Sequence, residues 1–207
     1  DRTVKVWELT GGKVVHTLIG HDDEVLVVRV TPDGRRAVSA SADWNLSVWD
    51  LRLGVKLHSL EGHTGEVVDV ALSSDGRLVA SASADTTVRI WNLDSGEEVH
   101  TLWGHEDVVT AVSVTPDDRR VLSGSDDTTV RVWDLRSGTE IYTMEDHPDE
   151  IHSVRVTPDG RYGVSASLST KETLKVWDLA SGSGVQTLPG HTDSVEAIEC
   201  LPDGRGL

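Results

Sequence analysis

The sequence predicts an all-β protein assembled from consecutive four-stranded antiparallel units, and three observations carry that prediction. Five loop histidines, His21, His63, His105, His147 and His191, stand 42, 42, 42 and 44 residues apart. Five tryptophans, Trp7, Trp49, Trp91, Trp133 and Trp177, keep the same spacing, so the period belongs to the chain and not to one residue type. Every copy also breaks into short β-rich runs bounded by Gly, Pro, Asp and Ser, with no window of helical periodicity. A fixed period of roughly 40 to 45 residues marks a blade-type repeat.

One copy justifies each element in turn. After Gly62-His63 comes a first strand at 66–72, then a turn at Ser74-Asp75-Gly76 and a second strand at 78–83. Asp85 opens a tight turn into the β-branched third strand, 87–91, and Asp94-Ser95-Gly96 leads to the fourth, 98–102. On this pattern residues 1–18 supply the last two strands of a partial blade. Complete blades follow at about 20–60, 62–102, 104–144 and 146–188, and a further partial blade at 190–207 has a strand at 195–201 and a Pro202-Asp203-Gly204 turn. Residues 203–207 align with 75–79 and Asp1 aligns with Asp85, so the two ends read as complementary halves of one blade, short by most of one strand. The expectation is a piece of a longer array in preference to a five-bladed ring.

The recurring pairs identify the pattern. Gly-His stands at positions 20, 62, 104 and 190; Trp-Asp is literal at 49, 133 and 177 and relaxed to Trp7-Glu8 and Trp91-Asn92; a turn aspartate precedes the tryptophan by six residues at Asp1, Asp43, Asp85 and Asp127. Recurring in phase over essentially all 207 residues, the set resembles the WD-repeat (WD40) family. The resemblance implies a WD40-type β-propeller of four complete blades and two partial ones. It further implies a buried hydrogen-bond chain in each blade linking the loop His, a strand Ser or Thr, the turn Asp and the Trp. Those sets are His21, Asp43 and Trp49; His63, Asp85 and Trp91; His105, Asp127 and Trp133; with His147 and Trp177 in the fourth blade. Either serine of each Ser-x-Ser pair fits, and the first of each, Ser39, Ser81 and Ser123, is favoured.

The fourth blade departs from its sisters. Ten residues separate Ser167 from Trp177 where eight separate Ser41 from Trp49, no aspartate occupies the turn, and Asp146 replaces the glycine before the histidine. Either the blade has drifted because a missing hydrogen bond is tolerated, or the enlarged loop at 168–173 touches a partner.

Composition narrows the function classes. Net charge is −16, from 35 acidic against 19 basic residues, which disfavours nucleic acid and anionic lipid and favours a basic partner. Apolar runs span a few residues, far short of the roughly 20 that cross a bilayer. The single cysteine, Cys200, excludes a disulfide within the chain and reads as a buried apolar residue of the 195–201 strand. With no export signal, a cytoplasmic setting is expected.

A His, a Ser and an Asp repeated in every blade invite a hydrolase reading. Catalysis needs one exposed set beside an oxyanion site, so repetition argues for architecture. His16 and His21, His58 and His63, and His100 and His105 lie five apart but lack cysteine partners, so no zinc or other cofactor is expected, and the first of each pair reads as an outer-strand residue. A propeller enzyme would need a non-repeating polar cluster; His152, Glu196 and Glu199 hint at one but lie in different blades.

The family resemblance puts the Gly-His loops and the aspartate turns on one face. There the loops carry Asp22, Asp23 and Glu24; Thr64, Gly65 and Glu66; Glu106 and Asp107; Pro148, Asp149 and Glu150; Thr192 and Asp193. Asp126 and two tryptophans outside the series, Trp44 and Trp103, fall at the same end. Acids with aromatics suit a basic protein or peptide, the aromatics anchoring and the acids steering. The expected function is a non-enzymatic interaction scaffold. The near-identical copies also resemble the WD arrays of bacterial signalling proteins, which implies, as an alternative, a sensor or autoinhibitory module of a nucleotide-binding switch ATPase or a Ser/Thr kinase.

Overall fold

The computed structural model describes residues 1–169, 174–191, 193, 195 and 197–201. Thr192, Glu196, the 170–173 part of the enlarged loop and the Pro202-Asp203-Gly204 turn lie outside the described residues. Eighteen strands and no helix make up the described secondary structure. β1 (Thr3–Glu8) and β2 (Lys13–Ile19) form a two-stranded sheet. Four antiparallel four-stranded sheets follow in chain order. They are β3 to β6 (Val25–Val30, Arg36–Ser41, Leu46–Asp50, Val55–Leu60), β7 to β10 (Val67–Leu72, Leu78–Ser83, Val88–Asn92, Glu98–Leu102), β11 to β14 (Val109–Val114, Arg120–Ser125, Val130–Asp134, Glu140–Met144) and β15 to β18 (Ile151–Val156, Tyr162–Ser167, Leu174–Asp178, Ser183–Leu188). Among the described residues the first and last sheets share no strand pairing. The strand expected at 195–201 is not formed among its described residues. Cys200 there makes an isolated bridge and is half-buried instead of fully buried.

Small side chains explain how the sheets stack. The second strands β4, β8 and β12 are buried from their second residue onward and consist largely of Ala, Val and Ser. Packed on both faces, they admit only side chains that let neighbouring sheets interdigitate at crystal-like density. Each blade's tryptophan then closes onto the sheet before it: Trp91 packs with Val38, Val48 and Leu60, Trp133 with Ala80, Val88 and Leu102, and Trp177 with Leu122, Val132 and Met144. Trp7, in the two-stranded sheet, is half exposed.

A second contact joins the blades at their rim. The last strand of each of the first four sheets presents one ring side chain to the turn between the third and fourth strands of the next, His16 at Gly54, His58 at Gly96, His100 at Gly138 and Tyr142 at Gly182. All four glycines have φ between +68° and +75°, a left-handed conformation that glycine adopts without strain. A Cβ there would also lie 2.4 to 2.8 Å from the facing ring. His100 Nε2 meets the Arg136 carbonyl at 2.9 Å and the Tyr142 hydroxyl donates to the Ala180 carbonyl at 2.7 Å.

Each first strand carries a bulge beside its first residue, at Val25/Val27, Val67/Asp69, Val109/Ala111 and Ile151/Ser153. A bulge re-aims the side chain that follows it. In the second complete blade that residue is Asp69.

Candidate functional site

The loop entering each blade and the turn between its second and third strands meet at one end of the sheet, and a shared carboxylate binds them together. Asp85 Oδ2 lies 2.8 Å from His63 Nδ1 and accepts the Thr64 N–H at 3.0 Å; Oδ1 accepts the Thr87 hydroxyl at 2.6 Å and its N–H at 3.0 Å. His63 Nε2 lies 2.7 Å from Ser81 Oγ, which accepts the Trp91 indole N–H at 2.9 Å. An indole only donates and a carboxylate only accepts. With a neutral imidazole the bonds therefore run in one direction, from Trp through Ser and His to Asp. The same arrangement joins Trp49, Ser39, His21 and Asp43, and Trp133, Ser123, His105 and Asp127, with His to Asp distances of 2.7 and 2.8 Å. Burial pushes the carboxyls of Asp43, Asp85 and Asp127 up, but the donors converging on them outweigh it and hold all three below the usual carboxylate range. Ser39, Ser81 and Ser123 are fully buried and closed in by the indole, so no substrate reaches their oxygens. Asp85→Ala strands the His63 and Thr64 donors and is expected to cost about 1 to 3 kcal/mol. An unchanged thermal midpoint in that variant would remove the bond chain as a source of stability.

The fourth blade keeps half of this chain. Trp177 donates to Ser165 at 2.7 Å, and Ser165 lies 2.5 Å from His147 Nε2. Among the described residues, His147 Nδ1 and Ser167 Oγ are buried without a partner. Two further changes are correlated with the lost aspartate. Pro148 follows the histidine, and proline has no N–H to offer the missing carboxylate. Asp146 stands where a Cβ on Gly62 or Gly104 would come within 2.6 or 2.7 Å of the Arg89 or Arg131 guanidinium; here the arginine is replaced by Lys175, whose ammonium binds Asp146 at 2.5 Å.

Burial, aided by the Lys175 charge and opposed by Asp146, pushes the His147 imidazole down to about 4. The unfolded chain, with an ordinary histidine pKa of about 6.5, takes up the proton first. Stability from this group is therefore fully present above about pH 6.5 and is lost as pH falls towards 4, by an amount on the order of 3 kcal/mol. A ring-nitrogen NMR titration is expected to show His147 changing charge near 4; a midpoint at 6 or above would overturn this.

The same end of the sheets carries the acids. Asp22, Glu24, Glu66, Glu106 and Glu150 are exposed on the loops and Asp126 is half-buried beside them. Burial first, and then the charges of Glu150 and Asp107, push the Asp126 carboxyl up. No lysine or arginine occurs in the loops 20–24, 61–66, 103–108 and 145–150. Arg35, Arg52, Arg77, Arg119, Arg136 and Arg161 all stand in turns at the other end. Trp44, in the turn after Asp43, is 50% exposed, and Trp103, at the start of a loop, is 69% exposed. They belong to different blades.

A third group was not read from the sequence. Asp69, 8% exposed, projects from β7 into the space enclosed by the first strands. It accepts the Val112 N–H of β11 at 3.2 Å and the Arg29 guanidinium of β3 at 3.2 Å, with Arg155 of β15 at 3.9 Å. One carboxylate thus meets the inner strands of three other blades. Burial pushes its pKa up, against these three partners. This is the non-repeating polar cluster that His152, Glu196 and Glu199 only hinted at: Glu199 approaches Arg155 at 3.9 Å, while Glu196 lies outside the described residues. The signal was departure from the repeat, since Asp69 replaces Val27, Ala111 and Ser153 of the sister strands. Among the described residues no group of three or more His, Cys, Asp or Glu side chains is placed to hold a metal ion.

Comparison with known proteins gives two findings. A 43-residue stretch is 40% identical to the cilia- and flagella-associated protein 52 of Mus musculus, covering 21% of this chain and 7% of that protein. The chain therefore spans a small part of the curated relative that it matches. The pattern of the WD domain, G-beta repeat, matches residues 12–50, 54–92, 96–134 and 138–178, well over half of the sequence. The periodic His, Ser, Asp and Trp bonds and the four-stranded sheets are thus those of a WD40 array, and the chain belongs to the WD-repeat family.

Proposed function

We propose that the acidic loop face docks a basic protein or peptide. WD40 repeats make the chain a protein-interaction scaffold, as such domains generally bind proteins or peptides and are typically non-enzymatic. The observation that carries the finer reading is the segregation of charge: four loops rich in carboxylates and empty of lysine and arginine, with Arg35, Arg52, Arg77, Arg119, Arg136 and Arg161 in turns at the opposite end. Such a field raises the encounter rate of a cation-bearing partner and orients it before contact. Trp44 and Trp103 supply rigid apolar area for anchoring.

Capture of a lysine-rich peptide by the 207-residue chain tests this. The double variant Trp44→Ala, Trp103→Ala is expected to lose roughly tenfold or more in affinity while its thermal midpoint stays in place, because both side chains are exposed. Binding by the unaltered chain is expected to weaken as salt rises. Equal capture by both proteins would sink the proposal.

A further inference from the structure

Pressed against the Asp69 cluster is a cavity of about 530 Å³ between the first strands, lined by Arg29, Arg155, Ser113 and the aliphatic side chains of Val30, Leu72 and Val114 among others. We propose that this cavity binds an aliphatic carboxylate, its head held between the Arg29 and Arg155 guanidiniums and its hydrocarbon body laid on the valine and leucine walls.

The arginines are set up for such a head group. Arg29 spends one nitrogen on the Val28 carbonyl at 3.3 Å and one on Asp69 at 3.2 Å; Arg155 spends one on the Val154 carbonyl at 2.8 Å. A guanidinium has five N–H donors in a rigid fork, so these bonds fix both planes and leave donors over for a ligand. Asp69 is also engaged by the Val112 N–H, and its one negative charge is shared between two guanidiniums. Glu199, largely exposed, brings a carboxylate to 3.9 Å from Arg155 Nε, beyond a direct hydrogen bond. It marks the approach that a better-seated carboxylate would take.

The repeat supplies an independent argument. The blade architecture is met by residues that recur, yet the positions of Arg29 and Arg155 are Ala71 and Ser113 in the sister strands. Two long cations facing one space, with small residues between them, leave room that a purely structural ring would fill. This site lies on the inner strands and does not depend on what the loop face binds.

Two sources share this chemistry, a free aliphatic acid and the C-terminus of a peptide ending in leucine, and calorimetry on the 207-residue chain separates them. The probes are 4-methylpentanoate, a short peptide with a free C-terminal leucine, and the same peptide as its C-terminal amide. Saturable binding of 4-methylpentanoate supports the site with a small-molecule ligand. Binding of the peptide acid but not of 4-methylpentanoate supports it with a peptide ligand. In either case the amide is expected to bind at least roughly tenfold more weakly, as loss of a charged hydrogen-bonding group demands. Arg155→Met should weaken the successful probe by a similar factor, and Ala71→Phe, which puts a large apolar side chain into the cavity while Arg29, Asp69 and Arg155 are retained, should abolish it with circular dichroism unchanged. Absence of saturable binding by both acids, equal affinity for acid and amide, or full binding by Ala71→Phe would overturn the proposal.

Discussion

Trp91→Ala is expected to cost about 3 to 5 kcal/mol of unfolding free energy, the range for deleting a fully buried aromatic side chain. Its ring is 1% exposed and fills the seam between two sheets, touching the cluster of Val38, Val48, Leu60, Val67 and Leu93. Truncation leaves a void that neither sheet can collapse into without losing its own register. It also removes the indole donor from Ser81, so the His63 and Asp85 bonds lose their buried end. Stability in repeat proteins is carried largely by interfaces between neighbouring units, so the loss is expected to appear at this seam first. Urea titration of Trp91→Ala beside Trp7→Ala is the check. Trp7 is half exposed, so its replacement is expected to cost under about 1 kcal/mol. Equal shifts in the two variants would refute the account of the seam.

Asp69→Ala is expected to cost about 3 kcal/mol or more, because removing one partner of a buried ionic group leaves the others uncompensated. The Val112 N–H loses its acceptor, and Arg29 and Arg155 are left facing one another across an empty site. Asp69→Asn keeps an acceptor for the amide but no charge for the guanidiniums and is expected to fall between wild type and alanine. The ordering Asp, Asn, Ala in chemical denaturation midpoints is the measurement. If Asn matched Ala, the charge would be the whole effect; if all three coincided, Asp69 would not tie the blades together.

The periodic parts of the molecule were legible because each was written several times. A single His63 or Trp91 says little, but five of each in phase locate the loops, the turns and the third strands within a residue or two. The loop acids were likewise readable, since the hairpin topology puts Glu66 and Asp126 at one end whatever the side-chain packing. What the sequence concealed was the content of single departures. Asp69 sits in a run that reads as an ordinary inner strand, and its partners lie 40, 43 and 86 residues away. Only the bulge beside Val67 and the proximity of four inner strands bring them together. The 195–201 run failed in the opposite sense. It carries the right pattern, but a strand exists only where a neighbour pairs with its backbone, and among the described residues of the run Cys200 alone is bridged.

The rim contact makes the array directional. The first three complete blades each carry a ring on one flank and a glycine turn on the other, so His58 fits Gly96 in the same way that His100 fits Gly138. Excision of one whole 42-residue unit from the gene would bring His58 to Gly138 and Trp133 to the β3–β6 sheet, junctions of the kind already present. Duplication would do the same in reverse. Length in this architecture can therefore change by whole copies without any new surface having to be invented, and the copy number can drift while each joint stays the same.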